Sequence, residues 1–198
     1  VSFNEFKWLN FTTSSNNLFT GCTSLQSIEL PENRNIRYQY FYGCVSLERC
    51  IIGNGCDTIS KQAFYNCGAL KEISIPDTVT TIESGAFGGT GISEFVYPPH
   101  VTAISGLGDM PRLTRVEIGE NAVSVTGMGN SPLLKTLIIR TETPPSTDYW
   151  TLLNAPRIPD IYVPDNAVNA YKTSNGWRKW AAYIRPCLLY TSPSPRDA

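Results

Sequence analysis

The sequence predicts a β-rich repeat solenoid of about seven coils, with a parallel sheet on one face and a short C-terminal cap helix. The first observation is a motif of phenylalanine, glycine or asparagine, cysteine and leucine at residues 19–25, 41–47 and 64–70, and more loosely at 87–92. The second is an apolar triplet that recurs seven times at intervals of 21 to 24 residues. A fixed period of this length is the signature of stacked repeats.

Each triplet predicts one short strand, because alternate side chains of a strand point to the same face. The seven triplets are Leu25/Ile28/Leu30, Leu47/Cys50/Ile52, Leu70/Ile73/Ile75, Ile92/Phe95/Tyr97, Leu113/Val116/Ile118, Leu134/Leu137/Ile139 and Ile158/Ile161/Val163. Proline or glycine follows most of them and should turn the chain; these residues are Pro31, Gly53, Pro76, Pro98, Gly119 and Pro164.

A second apolar set in each coil should face the first set across the interior. It comprises Ile36/Phe41, Ile59/Phe64, Ile82/Phe87, Ile104/Leu107 and Val125/Met128. One coil cannot bury both sets alone, whereas a stack of coils can.

The full repeat resembles the BspA-like (treponeme-type) leucine-rich repeat of bacterial surface proteins. Residues 64–87 are the cleanest copy, and the resemblance covers roughly residues 3–186, including an ending with Thr143-Pro144-Pro145 and the stretch from Ala170 to Trp177. It implies a right-handed leucine-rich-repeat stack with a role in adhesion or surface display. Tyr40 departs from the alanine of later coils, and coils five and six lack the glycine-cysteine signature, which puts their local shape in doubt but not the fold.

The repeat pattern divides the chain into four regions. Residues 19–163 form the solenoid, and 164–186 form a cap in which Asp165 should cap a helix over about 166–173 that stops near Gly176. Trp177, Trp180 and Ile184 should cover the open end of the last coil. Residues 1–18 are a degenerate first coil or the junction to a missing upstream region. Residues 187–198 fit neither repeat nor cap and resemble adapter or vector sequence; the alternative is a native Pro/Ser linker.

Charge and hydropathy exclude two partner classes from our expectations. The chain has 16 Lys and Arg against 17 Asp and Glu, so there is no basic stripe to neutralise nucleic-acid phosphates or an anionic membrane. No apolar run approaches the roughly 18 residues of a membrane span, so we expect no membrane insertion in this segment.

The cysteines favour a structural role over a cofactor or metal site. Cys22, Cys44 and Cys67 share one repeat position and should stack as an internal ladder, while Cys50 and Cys56 lie in other apolar rows. A buried cysteine behaves as a small hydrophobic residue, and no C-x-x-C pair of the kind zinc prefers occurs. Oxidation between adjacent coils remains an alternative.

The candidate catalytic groups also favour a non-catalytic interpretation. His100, the only histidine, lies in a Pro-Pro-His turn without a nucleophile beside it in sequence. Outward-facing carboxylates make a glycosidase conceivable; they are Glu29, Glu48, Glu72, Glu94, Glu117 and Asp160. Their alternation with Gln26, Arg49, Lys71, Arg115 and Lys135 favours cross-strand charge pairs on a solvated sheet.

One outward row carries apolar residues where water is expected. In strand order it reads Glu29, Ile51, Ser74, Val96, Glu117, Ile138 and Tyr162. Such a row can mark a partner site, or it can be an ordinary exposed row or one covered by a flanking segment. The candidate partner-binding face comprises Glu29, Arg49, Ile51, Glu72, Val96, Arg115, Glu117, Ile138 and Tyr162.

These observations predict a binding module without catalytic activity, recognising a protein or glycan through its strand face. The resemblance implies a bacterial cell-surface or secreted location. The alternative is a passive spacer or scaffold for another domain; an enzyme would have to rest on a strand-face carboxylate.

Overall fold

The computed structural model describes residues 15–148, 151–152 and 157–187. Most of the predicted N-terminal region 1–18 and all but the first residue of the region 187–198 therefore lie outside the described residues.

The predicted strands form the main face of a parallel-strand solenoid. This face contains β1 (Ser27–Glu29), β2 (Arg49–Ile51), β4 (Glu72–Ser74), β6 (Glu94–Val96), β8 (Arg115–Ile118), β10 (Thr136–Ile139), β12 (Asp160–Val163) and β13 (Ile184–Pro186). The first seven coincide with the seven triplets, and the pairing between neighbouring coils is parallel. The sequence therefore predicted the fold class and the coil count, while β13 was missed.

A second, narrower face is built from short strands. These are β3 (Thr58–Ile59), β5 (Thr81–Ile82), β7 (Ala103–Ile104), β9 (Ser124–Val125) and β11 (Ser146–Thr147). β3 pairs with β5, and β7, β9 and β11 form a second ladder. The second apolar set, which begins at Ile36 and Phe41, is buried in every coil, so the prediction that it closes the interior is confirmed.

Aromatic rings hold the first four coils in register. Phe19, Phe41, Phe64 and Phe87 stack with ring centroids 5.1, 5.1 and 5.4 Å apart. The rings are nearly parallel, so each coil places its phenyl group over the previous one. Tyr40 is buried and packs edge-on against Phe41, which explains how the first repeat accommodates a large side chain in place of alanine.

The turn before each strand is retained in coils five and six, although these coils lack the glycine-cysteine signature. The left-handed position of this turn is occupied by Gly21, Gly43, Asn66, Gly89, Asp109 and Asn130, all with positive φ. Asparagine and aspartate adopt this conformation more readily than other non-glycine residues. Coils five and six therefore keep the turn geometry with a different residue type.

The cap begins differently from our expectation. Asp165 is the first residue of a 3₁₀ helix (Asp165–Ala167), and no side chain caps it; the α-helix α1 spans Val168–Thr173. The prediction that Asp165 caps a helix over 166–173 is therefore wrong. Pro164, with extended backbone angles, is the residue that precedes the helix, so Asp165 is already a helical residue and not the cap.

The remainder of the cap covers the last coils as predicted. Trp177 is buried and its indole N–H donates to the carbonyl of Pro145 at 2.7 Å, while the Tyr171 hydroxyl donates to the carbonyl of Thr141 at 3.0 Å. A second 3₁₀ helix (Arg178–Tyr183) leads into β13. Cys187, expected to lie beyond the cap, is buried and its N–H donates to the Val163 carbonyl, because β13 extends the sheet to this point.

Candidate binding face

The outward residues of the main face form two rows in register. The first row contains Ser27, Arg49 and Glu72, and continues after β4 as Glu94, Arg115, Thr136 and Asp160. The second contains Glu29, Ile51 and Ser74, then Val96, Glu117, Ile138, Tyr162 and Arg185. All nine candidate residues thus lie on one face, as the strand pattern predicts, although their role in binding stays a prediction.

Cross-strand ion pairs follow the first row. Arg49 lies 3.6 Å from Glu72, and Arg115 lies 3.7 Å from Glu94. Both carboxylates, Glu72 and Glu94, are largely exposed, so each pair contributes little to stability but keeps the sheet solvated. The expected alternation of charges between strands is therefore present.

Glu117 is the centre of a tighter network. Its carboxylate accepts hydrogen bonds from Arg115 at 2.5 Å and from Nε of Arg140 at 2.6 Å, and its side chain is only 13% exposed. Burial acts to raise the pKa of Glu117, but the hydrogen bonds and charges of Arg140 and Arg115 outweigh it and hold that pKa below its ordinary value. Sequence reasoning missed Arg140, since it follows the last apolar position of β10 and belongs to neither outward row.

The apolar positions of the second row differ in exposure. Val96 is 50% exposed and Ile51 is half-buried, whereas Ile138 is only 6% exposed. The expectation that Ile138 faces water is therefore wrong. Its row neighbours in β8 and β12 are Glu117 and Tyr162, large side chains that flank it on both sides.

The main face is interrupted between β4 and β6, which do not pair. On either side of this break the same backbone hydrogen bond recurs: the Lys71 N–H donates to the Glu48 carbonyl at 3.1 Å, and the Thr114 N–H donates to the Ser93 carbonyl at 2.7 Å. The corresponding bond from the Ser93 N–H to the Lys71 carbonyl is absent from the described part of the chain. The strand face therefore consists of two ladders rather than one.

The break coincides with a shorter turn in coil four. Phe64 and Leu70 are six positions apart in coil three, but Phe87 and Ile92 are five positions apart in coil four. Coil four also approaches coil three closely at Gly91, where an added Cβ would lie 2.7 Å from the carbonyl oxygen of Gly68. We attribute the loss of pairing downstream to this displaced start of β6.

A groove of about 370 Å³ opens at the break. The inward residues Ile73 and Ile75 are half-buried here, although the equivalent positions of other coils are buried, and the outward residue Val96 is exposed. The groove is lined by Ile73, Ser74, Ile75, Asp77, Glu94, Phe95, Val96, Tyr97, Pro98 and Pro99. Its lining mixes apolar side chains with polar groups, among them Ser74 and the carboxylates of Asp77 and Glu94, and it contains no lysine or arginine.

The cysteine ladder has a polar function that the apolar interpretation missed. The thiol of Cys44 donates to the Phe19 carbonyl at 3.0 Å, and Ser131 uses its hydroxyl in the same way toward Leu107 at 3.2 Å. Burial raises the pKa of Cys50. Cys22, expected inside with the others, is exposed; it lies in the first described coil, with no described coil stacked before it.

Other candidate chemistry is sparse in the described part of the chain. His100 is exposed in its turn. Among residues 15–148, 151–152 and 157–187, no group of three or more His, Cys, Asp or Glu side chains is placed to hold a metal ion. Nor does any helix in these ranges have the length and apolar character to cross a bilayer.

The parallel coils, the two faces and the C-terminal cap define a capped leucine-rich-repeat solenoid. The sequence matches the BspA-type leucine-rich repeat region over residues 2–107, in six copies. The chain belongs to this family. No curated protein matches it.

Two solved structures share the fold. A leucine-rich repeat protein from Bacteroides ovatus is 22% identical with a TM-score of 0.59, over 78% of this chain and 43% of that one. The pneumococcal vaccine antigen PcpA is 20% identical with a TM-score of 0.60, over 81% of this chain and 40% of that one. This chain thus spans less than half of either structure.

Proposed function

We propose that this chain is a non-catalytic binding module that recognises a protein or glycan partner through its main strand face. The observation that carries the proposal is the composition of that face. It combines exposed ion pairs, such as Arg49–Glu72, with half-exposed apolar side chains at Ile51, Val96 and Tyr162 on a rigid sheet. Charged groups around apolar anchors are the ordinary composition of recognition surfaces.

We further propose a cell-surface or secreted location. One structural relative is described as a pneumococcal vaccine antigen, and an antigen used in a vaccine must be reachable by antibodies. The BspA-type repeat itself supports the same location. The buried thiols are compatible with any compartment, since they need no disulfide to pack.

The experiment is a binding screen of the chain on arrays of extracellular proteins and of glycans. The test variant combines Ile51→Ser with Tyr162→Ala, both on the strand face. The control variant combines Val123→Ser with Leu133→Ser, which are exposed side chains outside that face. We expect hits whose binding is lost in the test variant and retained in the control.

The alternative is a passive spacer that carries another domain. It predicts a stable rod that gives no hits, or hits that both variants retain equally. Either result would contradict recognition through the strand face. A hydrolytic activity on the glycan array that disappears with Glu94→Gln would instead revive the enzymatic alternative.

A further inference from the structure

The break between β4 and β6 leaves backbone groups unpaired that form hydrogen bonds between neighbouring coils elsewhere on this face. The N–H of Ile52 donates to the Ser74 carbonyl at 3.0 Å, which is the bond that ties coil two to coil three. The equivalent bond from the Ile75 N–H to the Val96 carbonyl is not formed among the described residues. An extended backbone placed in the groove meets free donors and acceptors on its walls, and unpaired strand edges are natural templates for another strand.

The groove also selects side chains. Its lining includes the partly exposed side chains of Ile73, Ile75 and Val96, which favour an apolar residue. Its only charged lining groups are Asp77 and Glu94, both carboxylates. Glu94 lies 3.7 Å from Arg115, but that guanidinium lies much closer to Glu117, at 2.5 Å, so Glu94 remains available to a second cation.

We propose that this groove binds an extended segment of a partner polypeptide in which apolar residues alternate with lysine or arginine. Backbone hydrogen bonds to the strand edges hold the segment, an apolar side chain packs on Ile73, Ile75 and Val96, and a cationic side chain pairs with the carboxylates. Recognition of this kind draws affinity from the main chain and specificity from alternate side chains. The inference rests on the proposed binding function and names the partner chemistry at one point of the face.

The test uses the full chain and a fluorescent peptide of alternating valine and lysine, with binding followed by anisotropy at low and high salt. Two further peptides are controls: one with glutamate in place of each lysine, and one N-methylated along the backbone. We expect saturable binding of the valine-lysine peptide that weakens with salt. Binding of the other two should be at least about tenfold weaker.

Matched variants locate the site. Val96→Lys places a cation in the groove, and Val45→Lys makes the same change at a valine of equal exposure, 51% against 50%, in a turn outside the groove. Val96→Lys should weaken the peptide by at least about tenfold, and Val45→Lys by less than about twofold. Asp77→Asn combined with Glu94→Gln should reduce both the affinity and its salt dependence. Circular dichroism of each variant checks that the fold is retained.

Three outcomes would overturn the inference: no saturable binding at about millimolar peptide, equal binding by the Val96→Lys variant, or equal binding of the N-methylated peptide. Failure here is distinguishable from failure of the proposed function. If array hits are lost with Ile51→Ser and Tyr162→Ala but unchanged by Val96→Lys, the strand face binds a partner and the groove does not take part. If only Val96→Lys abolishes peptide binding and the arrays give no hits, the groove binds peptide but the rest of the strand face recognises no partner.

Discussion

The thiol of Cys67 donates a hydrogen bond to the backbone carbonyl of Phe41 in the preceding coil, at 3.0 Å. This contact ties the turn of one coil to the aromatic position of the coil before it. Ser131 makes the equivalent bond in a later coil through a hydroxyl. A hydroxyl can therefore replace the thiol in this bond.

This relationship predicts that Cys67→Ser is better tolerated than Cys67→Ala. Serine retains the donor, whereas alanine removes it and leaves a larger void, so the free energy of unfolding should fall by about 1 kcal/mol more for alanine. Urea unfolding followed by circular dichroism and by tryptophan fluorescence measures the difference. An alanine variant as stable as the serine variant would show that the thiol serves only as packing volume.

The glycines that follow the strands differ in the space around them. A Cβ added at Gly53 would lie 2.7 Å from the Leu30 carbonyl oxygen and from the backbone of Pro31, whereas at Gly119 the nearest atom, in Pro99, is 3.9 Å away. Backbone atoms cannot rotate aside, so Gly53→Ala should destabilise the chain by about 1–3 kcal/mol. Gly119→Ala should be neutral, or stabilising by up to about 1 kcal/mol. Thermal and urea unfolding of the pair check this, and equal effects would contradict the close approach of coils one and two.

The network around Glu117 predicts a pH-dependent contribution to stability. Its pKa in the folded state lies below the ordinary value, so its contribution is fully present above the unfolded pKa of about 4.3 and is lost as pH falls through the folded value. Glu117→Gln should therefore unfold more easily than the parent at pH 7, with a gap that narrows on acidification. Urea midpoints between neutral and acidic pH measure the gap.

Glu29→Gln provides the control for that experiment. Glu29 is exposed on the edge strand β1 and forms no ion pair with any described residue. Its variant should differ little from the parent at every pH. A constant gap for Glu117→Gln across the same range would mean that its effect comes from shape rather than charge.

The cap predicts a link between stability and self-association. Trp177 is fully buried, so Trp177→Ala should cost about 3–5 kcal/mol. It should also expose the last coil and promote end-to-end association, since terminal coils need a cover. Trp177→Phe should cost about 1 kcal/mol through loss of the bond to Pro145. Unfolding curves and light scattering test both, with the partly exposed Tyr183→Ala as the control; scattering that rises equally for Tyr183→Ala would argue against the cap interpretation.

The sequence predicted those features that depend on a repeated local pattern. The seven triplets located the strands because each coil uses the same alternation of inward and outward side chains, and both buried rows followed from it. The wrong expectation that Ile138 is exposed arose from the same rule. Alternation predicts the direction in which a side chain points, but it does not predict which neighbours cover that side chain. In the fold, Glu117 and Tyr162 lie on either side of it.

The groove could not be predicted from the outward rows alone. The only signal was the one-residue shortening between Phe87 and Ile92, and a shorter turn does not by itself reveal whether the strands still pair. Arg140 was missed for a related reason: its contact with Glu117 crosses from a turn to a neighbouring strand and has no fixed spacing in the repeat.

The ring stack from Phe19 to Phe87 also has an evolutionary consequence. Each of these coils presents nearly the same phenyl surface to the next one, at 5.1 to 5.4 Å. A duplicated coil inserted between Phe41 and Phe64 would thus meet compatible neighbours on both sides. After Phe87 the equivalent position is occupied by Leu107 and Met128, so the contact surfaces of these later coils differ from one another. Gain and loss of coils should accordingly concentrate in the N-terminal half, so that related proteins vary in length there while the part next to the cap stays constant.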